Sequence, residues 1–156
     1  MNYKYFISFY LLMMFYFQGK AQLQKYSFNE IDSLSKTNKK SIVIFIHTDW
    51  CRYCAMMKNS SFKNDSVIKI LNDQFYFIEL NAEERNNINF NDKTYHYKPN
   101  GNNTGTHELA EELATINGKI AYPTLCILDN KKKIIFQYNS FLSGEDFLKI
   151  LSQLTP

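Results

Sequence analysis

The run Ser41-Ile42-Val43-Ile44-Phe45-Ile46-His47 constrains the fold of this 156-residue chain more than any other stretch. It is unbroken in its β-branched and aromatic character and has polar residues on either side. A strand with one wet face alternates apolar and polar side chains, whereas a strand without alternation is buried on both faces. Such strands occupy the middle of α/β sheets whose faces are covered by helices. The run therefore predicts a central strand of an α/β domain with a parallel neighbour.

The rest of the chain arranges itself around that strand. Phe28 to Thr37 places Phe28, Ile31 and Leu34 at helical spacing and predicts an amphipathic helix. Asp49 and Trp50 interrupt after the strand. From Cys51 the pattern turns helical, with Cys54, Met57, Ser61 and Phe62 on one face. Asp65 is expected to cap a further helical stretch carrying Val67, Ile68 and Leu71, and Phe75 to Leu80 reads as a second strand. An Asn-rich polar segment follows up to Thr106. Within it, Ile88-Asn89-Phe90 and Thr94 to Tyr97 alternate around Asn91-Asp92-Lys93 and suggest a small hairpin. Thr106 is expected to cap a helix from His107 to Ile116, which Asn117-Gly118 would stop through a left-handed cap. Thr124 to Leu128 and Ile134 to Tyr138 read as strands joined by the turn Asp129 to Lys133. Ser143 is expected to cap a last helix, Glu145 to Leu154. The resulting order is α β α β, an insert over residues 82–106, then α β β α, in one domain without internal repeats.

The first residues read differently. Met1 to Lys4 carries one charge, Tyr5 to Phe17 is apolar apart from Ser8, and Gln18-Gly19-Lys20-Ala21 offers small residues where a signal peptidase reads. This is the layout of a secretory signal peptide over residues 1–21, with a mature domain over 22–156. An uncleaved membrane anchor is the alternative. Export is expected to place the mature chain where disulfides can persist. Without Lys4 and Lys20 the chain has 16 basic and 15 acidic side chains, which leaves no electrostatic footprint for nucleic acid. Lys131-Lys132-Lys133 reads as a solvated hairpin turn. An apolar content of 45% places the domain among globular rather than disordered chains.

Three cysteines, Cys51, Cys54 and Cys126, are too few for a disulfide framework. Two residues separate the first pair, a spacing open to several chemistries. Haem attachment needs a histidine directly after the second cysteine, and Ala55 stands there. Zinc needs four ligands, and His47, His96 and His107 would have to complete the set without forming a close pair. A structural disulfide would close too short a loop to stabilise much. A redox pair has a positive physical case. Unsatisfied N–H groups and the macrodipole at a helix start favour thiolate, and Arg52 adds a positive charge beside it. Cys51 would then be the attacking thiol and Cys54 the resolving one. Cys126, between Leu125 and Ile127, reads as a small buried hydrophobe, with a regulatory thiol as the alternative.

Asp49-Trp50-Cys51-Arg52-Tyr53-Cys54 resembles the Trp-Cys-x-x-Cys motif of thioredoxin-like proteins. The longer run from Asp49 to Leu71 is most similar to the C-terminal thioredoxin-like domain of bacterial envelope thiol:disulfide interchange reductases. Tyr122-Pro123-Thr124 resembles the segment holding that family's cis-proline. The resemblance implies a thioredoxin-like fold with a mixed sheet flanked by helices, catalysis by Cys51 and Cys54, and substrate contact through Trp50, Tyr122 and Pro123. It implies dithiol or disulfide protein substrates, a membrane electron donor, a place in the periplasm of a Gram-negative bacterium, and neither metal nor organic cofactor. Three positions depart from the pattern. Phe45 stands where ordinary thioredoxins bury a carboxylate, and Glu79 is the nearest substitute by strand placement. Arg52-Tyr53 replaces the usual Gly-Pro and bears on the redox potential, and His47 is placed to tune the thiolate. The insert is longer than a minimal thioredoxin uses, and reads as a partner-recognition flap or a surface decoration. The expected function is an exported thiol–disulfide oxidoreductase working as a reductase. A non-catalytic binding module with a structural cysteine pair is the alternative.

Overall fold

The computed structural model describes residues 21–155. The charged and apolar parts of the predicted signal segment lie outside the described residues. Among those described, no helix is long and apolar enough to cross a membrane.

Helix α1 (Phe28–Leu34) starts at Ser27, whose hydroxyl accepts from the Glu30 N–H while Glu30 reaches back to the Ser27 N–H. This reciprocal capping box satisfies two backbone donors of the first turn. The helix is shorter than its apolar spacing suggests, because Ser35 closes it and Lys36 and Thr37 continue as a turn. Strand β1 (Ser41–His47) follows and is buried from Ile42 to His47. Helix α2 (Arg52–Asn59), a single 3-10 turn (Ser61–Lys63) and helix α3 (Asp65–Gln74) lead to strand β2 (Phe75–Asn81). The cap of α3 is Asn64, whose Oδ1 accepts from the Ser66 and Val67 N–H groups, rather than Asp65. Both side chains can cap, so adjacent candidates leave the boundary open by one residue.

The segment after β2 forms two small hairpins. Strands β3 (Ile88–Phe90) and β4 (Lys93–Tyr95) join through Asn91 and Asp92, both with φ near +60°. That is the backbone of a two-residue hairpin turn, for which Asn and Asp are suited. Strands β5 (Tyr97–Pro99) and β6 (Gly105–His107) make a second hairpin that alternation did not reveal. A side chain at Gly105 would collide with the Lys98 carbonyl and the Tyr97 ring, so glycine is needed there. Helix α4 (Glu108–Ala114) is capped by His107, because Thr106 pairs with Lys98 in the hairpin. It ends before Asn117-Gly118. That dipeptide instead turns a third hairpin, β7 (Thr115–Ile116) with β8 (Lys119–Ile120), using φ of 52° and 75°. Strands β9 (Thr124–Leu128) and β10 (Ile134–Tyr138) and helix α5 (Gly144–Leu154), capped by Ser143, complete the chain.

The main sheet has the order β10-β9-β1-β2, with β1 parallel to β2 and antiparallel to β9, and β10 antiparallel to β9. Alternation along β1 now explains its unbroken apolar run. Ile42, Ile44 and Ile46 pack with Phe28 and Ile31 of α1 and Leu109 and Leu113 of α4. Val43 and Phe45 point the other way, to Cys54 and Met57 of α2, Val67 and Leu71 of α3, and Phe147 and Leu151 of α5. Lys132 departs from the solvated turn expected of the three lysines. It sits over the Phe90 ring and pairs with Asp32 of α1, tying the β9–β10 turn to that helix.

Candidate active site

The cysteine pair stands where β1 ends and α2 begins. Cys51 is the N-cap of α2, and its sulfur accepts the Cys54 N–H at 3.1 Å. The two residues are joined as a disulfide with their Cα atoms 5.2 Å apart. Cys54 is fully enclosed, while Cys51 retains 6% exposure. A reduced Cys51 would lie in the positive field of the helix start, which favours thiolate over thiol. Arg52 adds its charge from an exposed position next in the chain.

Around this nearly closed sulfur lies an apolar rim. Trp50 is 68% exposed and Tyr53 60%, and Met56 also faces out. The Trp50 ring meets Tyr122 edge-on at 6.3 Å between centroids. The Tyr122–Pro123 bond is cis, and Pro123 is buried. Thr124, next in the chain, pairs with Ile46, which sets the cis bond beside the end of β1 where the motif begins. The structure thus brings together Cys51, Cys54, Trp50, Tyr53, Tyr122 and Pro123. Burial, with the carboxylates of Glu83 and Glu111 adding to it, pushes the Tyr122 phenol up from its ordinary range, so the rim presents a neutral hydroxyl there.

His47 and Glu79 belong to a second cluster behind the motif. His47 is buried and stacked on Phe45, and Lys58 of α2 lies 3.0 Å from its Nε2. Lys58 also lies 3.5 Å from Glu79, whose other oxygen pairs with Lys25 at 2.8 Å. Burial, followed by the Lys58 charge, lowers the His47 pKa, against the opposing pull of Glu79 and Asp49. Burial acts upward on Glu79, but the Lys25 hydrogen bond and the Lys58 charge outweigh it and hold the carboxyl below its usual range. Glu79 is therefore an ionised carboxylate held by two lysines. Phe45 fills the position beside it in register and packs on Phe62.

Sequence patterning missed Lys58, Asn81 and Glu83 as members of this region. The turn after β2 holds the motif loop. Asn81 Oδ1 accepts the Glu83 N–H at 2.9 Å, and its Nδ2 donates to Asp49 at 3.3 Å. The Ala82 N–H bonds the His47 carbonyl, and the Ala82 carbonyl accepts from His107. No spacing rule announces such pairings, which join residues far apart in the chain. Among the described residues, no three His, Cys, Asp or Glu side chains gather in a group that could hold a metal ion.

A family profile described as a thioredoxin-like domain matches residues 28–155. The chain belongs to the thioredoxin-like domain family. Its fold also resembles solved structures at low identity. An oxidoreductase named DsbH superposes with a TM-score of 0.60 at 18% identity, covering 85% of this chain and 84% of that one. A thioredoxin from Thermus thermophilus gives 0.60 at 19%, covering 85% and 87%. A thioredoxin-fold protein from Helicobacter pylori gives 0.60 at 18%, covering 89% and 80%. Curated relatives match only locally. Spermatogenesis-associated protein 20 of Mus musculus is 28% identical over 82 residues, covering 47% of this chain and 10% of that protein. An uncharacterized protein of Caenorhabditis elegans is 38% identical over 61 residues, covering 39% and 8%. The chain therefore spans a tenth or less of these two relatives. A thioredoxin-like fold with a Cys-x-x-Cys pair at disulfide distance has the chemical means for thiol–disulfide exchange.

Proposed function

We propose that this protein is an exported thiol–disulfide oxidoreductase that reduces disulfides of protein substrates. The observation that carries the reading is the placement of Cys51 as the cap of α2, with Cys54 one turn inside and enclosed. In the reducing direction, the Cys51 thiolate attacks one sulfur of a substrate disulfide. A Cys51–substrate disulfide forms, the substrate S–S bond breaks, and the departing thiolate takes a proton from solvent. Cys54 then loses its proton, and its thiolate attacks the Cys51 sulfur. The Cys51–Cys54 disulfide forms and the second substrate thiolate leaves. Two electrons pass from the pair to the substrate, and the oxidised pair is the product state. A dithiol donor in the membrane then returns the pair to its reduced form by the same exchange run backwards.

Export is supported by the charged, apolar and small-residue order of residues 1–21, and N-terminal sequencing of the mature protein tests it. The helix start and Arg52 stabilise the Cys51 thiolate, hence the reduced form, and so work towards a more oxidising pair. Direction is tested by equilibrating the protein with a glutathione redox buffer. A potential well below that of oxidants near about −120 mV is expected of a reductase, and a value at that end overturns the direction. Cys54→Ser should accumulate mixed disulfides with substrates through Cys51. If it traps nothing and matches the parent in activity, a binding module with a structural pair is the better description.

A further inference from the structure

Cys54 has to become a thiolate inside a closed apolar layer, which it shares with Phe45, Met57, Phe62 and Phe147. Burial disfavours the charged form of a thiol. Lys58 stands four residues further along α2. Residues at that spacing share one helix face, with Cβ atoms about 5–6 Å apart. The Lys58 ammonium lies 5.9 Å from the centre of the Phe45 ring, which belongs to the same layer as Cys54. No acidic residue occurs on α2, and its other cation, Arg52, is exposed. The remaining charged and titratable groups come from neighbouring elements. From β1, His47 brings Nε2 to 3.0 Å from the ammonium, and its lowered pKa leaves it neutral at pH 7. From β2, Glu79 lies at 3.5 Å, and Lys25, before α1, pairs with the same carboxylate at 2.8 Å. Asp49 of the motif loop lies 4.0 Å from His47 and is largely exposed. Lys63 and Asp65, of opposite sign, line the cleft into which Lys58 and Glu79 open. Two lysines against one carboxylate leave the inner cluster positive. A charge at the edge of an apolar layer is poorly screened.

We propose that the Lys58 ammonium stabilises the Cys54 thiolate and thereby promotes the resolving step of the exchange. A nearby positive charge favours the anion and offsets the effect of burial. In that step the Cys54 proton leaves for solvent, and its electron pair forms the bond to the Cys51 sulfur. The Cys51–substrate bond breaks, and the substrate sulfur departs as thiolate. Glu79 is a poor acceptor for the proton, because its two lysines hold the carboxyl below its usual range. The cluster thus works by favouring the anion rather than by taking the proton. Lys58 acts through Cys54 as a positioning residue. The proposal rests on the oxidoreductase reading given above.

The test mixes the reduced protein with excess dipyridyl disulfide, a neutral reagent, and follows thiopyridone release by stopped flow. Attack by Cys51 releases the first thiopyridone in a phase that depends on reagent concentration. Attack by Cys54 on the Cys51 sulfur releases the second in a phase that does not. Wild type, Lys58→Met, Lys58→Arg and Glu79→Gln are compared across pH. Lys58→Met keeps the stem without the charge and should raise the pH midpoint of the second phase by about one unit. That phase should run about threefold slower below both midpoints and about threefold faster above them, because a more basic thiolate is the better nucleophile. Lys58→Arg should stay close to wild type. Glu79→Gln removes the opposing charge and should lower the midpoint. A second phase slowed equally at every pH reports packing alone and overturns the proposal. So does an unmoved midpoint in Lys58→Met, a Lys58→Arg profile no closer to wild type, or a Glu79→Gln midpoint that stays or rises. Wild-type protein that releases a single thiopyridone overturns the oxidoreductase reading instead. Release of two, with no effect of Lys58, overturns the role of Lys58 alone.

Discussion

Cys126 shows how far burial alone decides the chemistry of a thiol. It lies in β9 opposite Ile44 and is fully enclosed. Burial pushes its pKa up to about 12, so thiolate, the nucleophilic form, is scarce at neutral pH. Native oxidised protein should therefore expose no thiol to Ellman's reagent, and denaturant should release one. Fast labelling in the native state would revive the regulatory thiol. Cys126→Ala should cost about 1 kcal/mol of stability, the scale of a small cavity, measured by urea unfolding. The same residue-scale logic separates what could be read in advance from what could not. Cys51 and Cys54 were legible because spacing and a helix start coincide. Cys126 was legible because its neighbours are apolar. Glu83 was not, since its partner Trp50 lies 33 positions away and nothing local marks the pairing.

At the scale of elements, α4 depends on a histidine cap. His107 Nδ1 accepts the Leu109 N–H at 3.3 Å, and Nε2 lies 3.2 Å from the Asn86 carbonyl, so the ring serves as the neutral tautomer protonated at Nε2. Burial lowers its pKa, with His96 acting the same way and the Asn86 carbonyl, Glu84 and Glu108 opposing. As pH falls, the unfolded chain takes up the proton first. This share of stability is complete above the ordinary histidine value of 6.5 and is lost as pH drops below it towards the lowered folded value. His47, also lowered, adds a change of the same sign. The test is therefore a difference between wild type and His107→Asn, which keeps a capping oxygen, in urea midpoints from pH 7.5 to 5. Wild type should lose more on acidification, and equal losses would contradict the role of the ring. His107→Ala should cost about 1–2 kcal/mol at pH 7.5, the loss of a good cap. The main elements were legible because hydrophobic period states where a segment is buried. Their ends were not, because neighbouring residues compete for each cap. Asn117-Gly118 suits a helix stop and a hairpin equally, and the pairing of Thr115 with Ile120 decides for the hairpin.

Over the whole molecule, one sheet separates two packed layers, and the cysteine pair emerges from the layer of α2, α3 and α5 at the end of the central strand. The edge at β2 is partly covered by the segment before α1. Tyr26 donates to Phe77, and the Asn72 amide clasps Gln22 and Gln24. The opposite edge, β10, leaves Ile134, Ile135 and Tyr138 open. The layered architecture followed from β1 alone, because a strand buried on both faces demands cover on both. The folding of the insert did not follow, since its short strands are polar and are held by turns and long-range bonds. The role proposed for the molecule turns on a single atom, the Cys51 sulfur. The most direct measurement is reduction of insulin by dithiothreitol with a catalytic amount of the protein, wild type against Cys51→Ser. Acceleration of about tenfold or more by wild type is expected, falling to the uncatalysed rate with Cys51→Ser while circular dichroism stays unchanged. Equal rates for the two proteins would contradict a redox role for the pair.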